Sequence, residues 1–344
     1  PAGHQPMRSA CGRFVLVFNG EIYNHMALRT QLEAGGQGQA WRGHSDTETL
    51  LACVAAWGVT RTLQATVGMF AIALWDRAEH VLVLARDRMG EKPLYYGWQG
   101  PTFLFASETK ALQAHPDFSA VVDRGALALL LRHNCIPAPH SIHAGIRKLP
   151  PGCFLRIHAR SLQADADAVP EAYWTLNDTL AAGLADPFAG SDAEATDALE
   201  SQLRQSIGDQ MLSDVPLGAF LSGGIDSSTV VALMQAQSQR PVRTFTIGLG
   251  EGAYDEARHA AAVATHLGTD HTELRIHADD ALAVIPRLPA IYCEPFADSS
   301  AIPTYRVCQL ARRHVTIRCW RRSACAMSAR PSPSSSPTAL PPPR

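Results

Sequence analysis

Between residues 193 and 288 the chain alternates in a way that few folds permit. Residues 193–211 carry the apolar spacing of an amphipathic helix; 217–221 read as a short strand, 227–237 as a helix, 243–249 as a strand, 255–267 as a helix, 271–276 as a strand and 279–288 as a helix. Strands alternating with helices predict a parallel, doubly wound α/β sheet that binds its ligands outside the carboxyl ends of the strands. Val315-Thr316-Ile317 reads as the start of a further strand.

One such carboxyl end carries Leu221-Ser222-Gly223-Gly224-Ile225-Asp226-Ser227-Ser228. Glycines let a backbone approach a phosphate closely, and the helix N-terminus that follows favours an anion. The hydroxyls of Ser222, Ser227 and Ser228 add donors, and Asp226 can hold Mg2+. The run has neither the lysine and spacing of a Walker-type triphosphate loop nor the G-x-G-x-x-G of a dinucleotide fold. Its bland alternative is a strand-to-helix turn capped by serines.

The first half has another rhythm. Residues 13–19, 69–75 and 81–85 read as strands, with 26–34 and 48–57 at helical spacing between the first strand and the other two. This predicts a layered α+β domain to about residue 155, then a polar, Ala- and Asp-rich linker over 156–190, and the α/β domain over 191–317. A length of 344 residues suits two domains. Residues 318–344 hold five Arg, six Pro and no acidic residue, and read as disordered.

The formal net charge of −2 offers no general attraction to nucleic acid or an anionic membrane, and the arginines of residues 318–344 form no patterned basic patch. Eight cysteines without a C-x-x-C pair or zinc spacing point to a reducing, cytoplasmic setting. No basic-then-apolar leader and no apolar run of membrane-spanning length is present in the sequence.

Several runs together resemble one family. Asn19-Gly20-Glu21-Ile22-Tyr23-Asn24, Ser45-Asp46-Thr47-Glu48, residues 85–96 and Phe105-Ala106-Ser107-Glu108-Thr109-Lys110-Ala111-Leu112 resemble the class II glutamine amidotransferase domain of glutamine-hydrolysing asparagine synthetases. The 221–228 loop, Phe245-Thr246-Ile247-Gly248, residues 266–271 and residues 294–305 resemble the ATP-pyrophosphatase synthetase domain of the same family, in the same order. The resemblance covers about residues 3–317 and implies an N-terminal nucleophile-type fold followed by the ATP-pyrophosphatase fold.

It also implies two coupled sites. Glutamine would be hydrolysed by an N-terminal cysteine whose α-amine serves as base, with the Asn19 amide and the Gly20 N–H as oxyanion hole and Glu21 and Asp46 holding the polar groups of glutamine. Mg-ATP would activate the aspartate β-carboxylate as an acyl-adenylate, which ammonia attacks to give asparagine, AMP and pyrophosphate. Ser222, Gly223, Gly224, Asp226, Ser227 and Ser228 would cradle the pyrophosphate, Asp226 would bind Mg2+, and Leu221, Ile247 and Gly248 would line the adenosine pocket. Glu294, Asp298 and Ser299 would border the acceptor.

Bland readings stand beside these. Asn19-Gly20 suits a tight turn, Asp46 a helix N-cap, Arg86-Asp87-Arg88 a structural salt-bridge turn, and Phe296 and Tyr305 a core. Lys92 and Lys110 stand out because only three of the thirty basic residues are Lys, yet both suit a solvated or paired role.

The sequence also departs from the family. The nucleophilic cysteine is expected before His4, and Cys11, being internal, has no free α-amine. Where the family has an acidic, Gly-rich loop, this chain has Arg318-Cys319-Trp320-Arg321-Arg322, whose Trp-Arg-Arg, if encoded TGG-CGA-CGG, becomes Gly-Asp-Gly when read one base later. Residues 318–344 are therefore expected to be an out-of-frame translation, and the chain as written to lack activity. The alternatives are a fragment or pseudoenzyme that binds nucleotide, or a relative that amidates another carboxylate. A homodimer is left open.

Overall fold

Two patterns of burial organise the chain, one antiparallel and layered, the other parallel. The computed structural model describes residues 3–159, 168–212, 216–249 and 256–315. The expected strand at 315–317 and the segment 318–344 fall outside the described residues, apart from Val315, which follows the last helix.

The first sheet has six strands: β1 (Met7–Arg8), β2 (Phe14–Ile22), β3 (Gly68–Asp76), β4 (Val81–Arg86), β8 (Cys153–His158) and β9 (Glu171–Ala172), in the order β1-β2-β3-β4-β8-β9, every pair antiparallel. Alternation along β2 buries Phe14, Leu16, Phe18 and Ile22 on one face. That face meets α1 (His25–Ala34), α2 (Asp46–Trp57) and α3 (Val59–Ala65), whose Leu28, Leu32, Leu50, Leu51 and Leu63 complete the core.

The other face, from Ala71 and Ala73 to Leu84, Leu155 and Ile157, packs on Leu94, Tyr96 and Leu149 of a second layer. There β5 (Tyr95–Gln99) lies between β6 (Thr102–Ala106) and β7 (Ile146–Lys148). Two short helices, α4 (Thr109–Gln113) and α5 (Arg124–His133), follow β6.

The stretch expected as linker contains structure of its own. Cys153↔Ala172 and Phe154↔Glu171 pair β9 onto the first sheet, Tyr173 joins that domain's core, and α6 (Leu176–Ala185) follows, N-capped by the Thr175 side chain.

The second domain opens with α7 (Asp192–Met211), started by a capping box between Ser191 and Glu194. It continues as β10 (Gly218–Phe220), α8 (Ile225–Ala236), β11 (Arg243–Leu249), α9 (Glu256–Leu267) and β12 (Asp270–Ile276). The three strands pair in parallel, with Phe220↔Phe245 and Gly248↔Arg275. Ile207, Val231, Met234, Ala260 and Ala264 cover one face from α7, α8 and α9, and Val307, Leu310 and Ala311 of α12 (Ala301–His314) cover the other.

Helices on both faces of a parallel sheet are what the alternation predicts. The single helix expected over 279–288 is instead α10 (Ala278–Leu282), a 3-10 turn (Ile285–Arg287) and α11 (Leu288–Ile291). Pro286 and Pro289 remove backbone donors there and restart the helix each time. Among the described residues no helix is long and apolar enough to cross a membrane.

Candidate functional site

The first candidate site lies along the end of β2. Asn19 pairs with Ala71 across the β2–β3 ladder, so its side chain is on the face that looks towards the second sheet. There its amide Nδ2 donates to Ser107 Oγ at 2.9 Å, in the turn between β6 and α4. Gly20 is required by space: a Cβ would stand 2.1 Å from the Met69 carbonyl oxygen and 2.7 Å from Phe70 Cα. Asn19-Gly20 is therefore strand, not the tight turn of the bland reading.

Asp46 is the first residue of α2, and its Oδ2 accepts the Ile22 N–H at 3.0 Å. The N-cap position belongs to Ser45, so this carboxylate ties α2 to the last residue of β2, beside half-buried Glu21. The loop before α2 is held from both sides. Buried Arg29 donates to Thr49 Oγ1, Gly43 O and Ser45 O and stacks 4.2 Å from the Trp41 ring, while buried Glu48 accepts the Arg42 and Gly43 N–H groups.

Asp87, fully buried at the end of β4, accepts the backbone N–H groups of Phe70, Glu91 and Lys92. Arg86 donates to the carbonyls of Lys92, Leu149 and Gly90, and burial lowers its pKa from the usual guanidinium value. Residues 86–88 are thus structural, as the bland reading has it, but through backbone groups.

Cys11 sits in the turn before β2, whose first residue, Phe14, is already about 17 Å along the strand from Asn19. It is exposed, and its thiol is lowered below the ordinary value by the Ser9 hydroxyl 3.2 Å away.

The second candidate site is the turn from β10 to α8. Ser222 Oγ lies 2.9 Å from Ser227 Oγ, and Ser227 Oγ accepts the Ser222 N–H at 3.2 Å, folding the loop into a closed turn. Gly223 has φ +78°, and a Cβ there would lie 2.7 Å from Ala260 N and from His259 Cβ of α9, so only glycine fits. Gly224 is the N-cap position of α8, and Asp226, exposed, lies in its first turn. Ser228 Oγ is buried without a hydrogen-bond partner. That orphaned hydroxyl, at a helix N-terminus behind a glycine pair, fits a phosphate oxygen.

Leu221 is buried in the core beneath the loop, and its N–H is taken by Phe245 O. Half-buried Ile247 packs towards α12, and buried Gly248 lies near the carboxyl end of β11. No group of three or more His, Cys, Asp or Glu residues is arranged to hold a metal among the described residues. Asp226 is thus a single-carboxylate candidate, sufficient for a cation held mainly by nucleotide phosphates.

Glu294, expected beside the acceptor, faces the first domain. Its carboxylate pairs with Lys148 Nζ, accepts the Ile142 N–H at 2.8 Å and lies 3.5 Å from the Tyr95 hydroxyl. Burial, then the Glu294 charge, push the Tyr95 phenol well above its ordinary range. Asp298 accepts the Ser300 N–H ahead of α12, and Ser299 is exposed. Sequence reasoning did not find this joint, because its partners are about 150 to 200 residues apart.

Comparison with known proteins settles the family. The glutamine amidotransferase domain model matches residues 1–174, and the asparagine synthase model matches residues 198–318. The chain belongs to the glutamine-hydrolysing asparagine synthetase family. Within it, the putative asparagine synthetase of Mycobacterium tuberculosis (strain ATCC 25618 / H37Rv) is 35% identical over 322 residues, covering 91% of this chain and 48% of the relative. Asparagine synthetase 1 of Bacillus subtilis (strain 168) is 32% identical over 316 residues, covering 92% and 47%, and asparagine synthetase B of Escherichia coli (strain K12) is 30% identical over 305 residues, covering 83% and 46%. The chain spans about half the length of these asparagine synthetases.

Proposed function

We propose that the chain serves the glutamine-dependent, ATP-driven amidation of aspartate to asparagine. In the first domain, the glutamine amide is hydrolysed to glutamate and ammonia, the nucleophile being the N-terminal cysteine expected before His4. The Asn19 Nδ2 amide and the Gly20 N–H donate to the oxygen that gains charge as the carbonyl carbon becomes tetrahedral. Glu21 and Asp46, together at the end of β2, hold the polar groups of glutamine. Asp46 accepts from Thr47 on Oδ1 and from Ile22 on Oδ2, so Oδ2 is the oxygen with a lone pair left for glutamine.

In the second domain, the aspartate β-carboxylate displaces pyrophosphate from ATP, and ammonia then displaces AMP from the acyl-adenylate. Ser222, Gly223, Gly224, Ser227 and Ser228 receive the pyrophosphate at the α8 N-terminus, and Ile247 and Gly248 lie beside the adenosine. Leu221 contributes only backbone, its side chain being part of the core. Mg2+, when bound through Asp226 and the phosphates, neutralises charge on the departing pyrophosphate.

The observation that carries this reading is the buried, unpartnered Ser228 hydroxyl behind Gly223. Calorimetric titration of the full chain with Mg-ATP and with pyrophosphate tests it. Both should bind, Gly223→Ala should abolish both, and Asp226→Asn should weaken Mg-ATP about tenfold, as loss of a charge-assisted contact does. An Asp226→Asn affinity equal to wild type overturns the metal role. A wild-type chain that binds neither ligand overturns the nucleotide reading.

A further inference from the structure

A contact to Asn19 and contacts to the second domain fall within four consecutive residues, 107–110. Ser107 receives the Asn19 amide. Two residues on, Thr109 Oγ1 donates to Cys293 O at 3.1 Å. Next to it, Lys110 Nζ donates to Ala290 O at 3.1 Å and Ile291 O at 3.3 Å, the exposed carbonyl end of α11, while pairing with Glu108 at 3.0 Å. A cation on helix-terminal carbonyls is favourable, because those groups have no partner within the helix. Lys110 and Lys148, two of the three lysines in the sequence, both hold this joint; Lys148 does so through Glu294.

We propose that Lys110 is a positioning residue for glutamine hydrolysis: docking of the second domain on Lys110 and Thr109 fixes Ser107, which in turn fixes which way the Asn19 amide faces. An asparagine side chain presents either two N–H donors or a carbonyl oxygen, and only the donor end stabilises an oxyanion. With Ser107 Oγ accepting one Nδ2 hydrogen, the second stays available to the groove. With the turn released, the amide rotates freely and its carbonyl oxygen, which repels an oxyanion, occupies the site part of the time. The occupied or empty state of the joint is thereby communicated to the glutamine site through residues 107–110. This rests on the role proposed above for Asn19.

Nuclear magnetic resonance of the full chain, deuterated and labelled with 15N-asparagine, provides the test. Only Asn19, Asn24, Asn134 and Asn177 give side-chain amide pairs, and the Asn19 pair is the one lost in Asn19→Asp. In Ser107→Ala and in Lys110→Met the Asn19 pair should shift and broaden, and Lys110→Arg, which can still donate to both carbonyls, should restore it. L-glutamine affinity should fall about fivefold in Lys110→Met, the loss expected of a neutral hydrogen bond to the glutamine carbonyl, with Mg-ATP affinity unchanged. If Lys110→Met does not fold, Thr109→Val, which removes only the Cys293 contact, takes its place with the same expectation. An unmoved Asn19 pair in the folded variant overturns the proposal. Asn19 shifts in the variants with no L-glutamine binding by the wild-type chain instead overturn the glutamine reading of the groove and leave the coupling standing.

Discussion

Asp87 shows how much one side chain can organise. Its carboxylate, with no exposed surface, serves three backbone donors from two different segments. Asp87→Ala leaves those donors unsatisfied in the interior and should destabilise the first domain by about 3 kcal/mol or more, measured by urea unfolding. The cysteines differ in the same residue-specific way. Burial pushes the Cys53 thiol up to about 12, whereas Cys11, exposed, is lowered by its Ser9 contact. With limiting iodoacetamide at pH 8, mass spectrometry should find Cys11 alkylated well before Cys53, and Ser9→Ala should slow Cys11. Reactivity of that kind is chemistry of exposure and does not make Cys11 the amidotransferase nucleophile.

At the scale of elements, the β3–β4 hairpin depends on Asp76. Its carboxylate accepts from the Arg13 guanidinium at 2.6 to 3.1 Å and from the Ala78 and Glu79 N–H groups that form the turn. Burial alone would raise its pKa, but those donors outweigh burial and hold it below the ordinary carboxylate value. A carboxyl group with a lowered native pKa stabilises the fold at pH values above its unfolded pKa, about 4, and loses that contribution as pH falls through the native value. Asp76→Asn should therefore be less stable than wild type at pH 7, and the gap should close in acid; thermal melts at a series of pH values check this.

The elements also show where sequence is readable. The expected strands at 13–19, 69–75, 81–85, 243–249 and 271–276 lie within or close to β2, β3, β4, β11 and β12, because alternation or strong apolar runs mark them. β5 carried no such mark: Tyr95, Tyr96 and Gly97 are buried in succession between two layers, so no period of two survives. α6 was hidden by composition. Its Leu176, Leu180 and Leu184 are exposed, and an Ala- and Asp-rich stretch without a buried face reads as linker. At the candidate sites, the loop at 221–228 and the pair Asn19-Gly20 are local motifs and were legible. Ser107, Lys148 and Glu294 take their meaning from neighbours far along the chain, and no short window contains that information.

For the whole molecule, the joint between domains is electrostatic at its centre and largely screened from water. Lys148 and Glu294 are 16% and 9% exposed, and the lysine also donates to Ile136 O. Removing one member of such a pair strands the other. Lys148→Met should cost about 3 kcal/mol, whereas Lys148→Met with Glu294→Gln should cost less than the two changes added together. Differential scanning calorimetry of the single and double variants measures this, and the single variant should also separate the unfolding of the two domains into distinct transitions. Additive costs would mean that the pair is not coupled.

The scarcity of lysine turns this joint into a built-in gauge. A protease that cuts only after lysine meets three candidate bonds in 344 residues: Lys92-Pro93, which proline makes resistant, and Lys110-Ala111 and Lys148-Leu149, both at the docking surface. Digestion by such an enzyme therefore times the parting of the two domains, and fragments ending at residues 110 and 148 should accumulate only as fast as the joint opens.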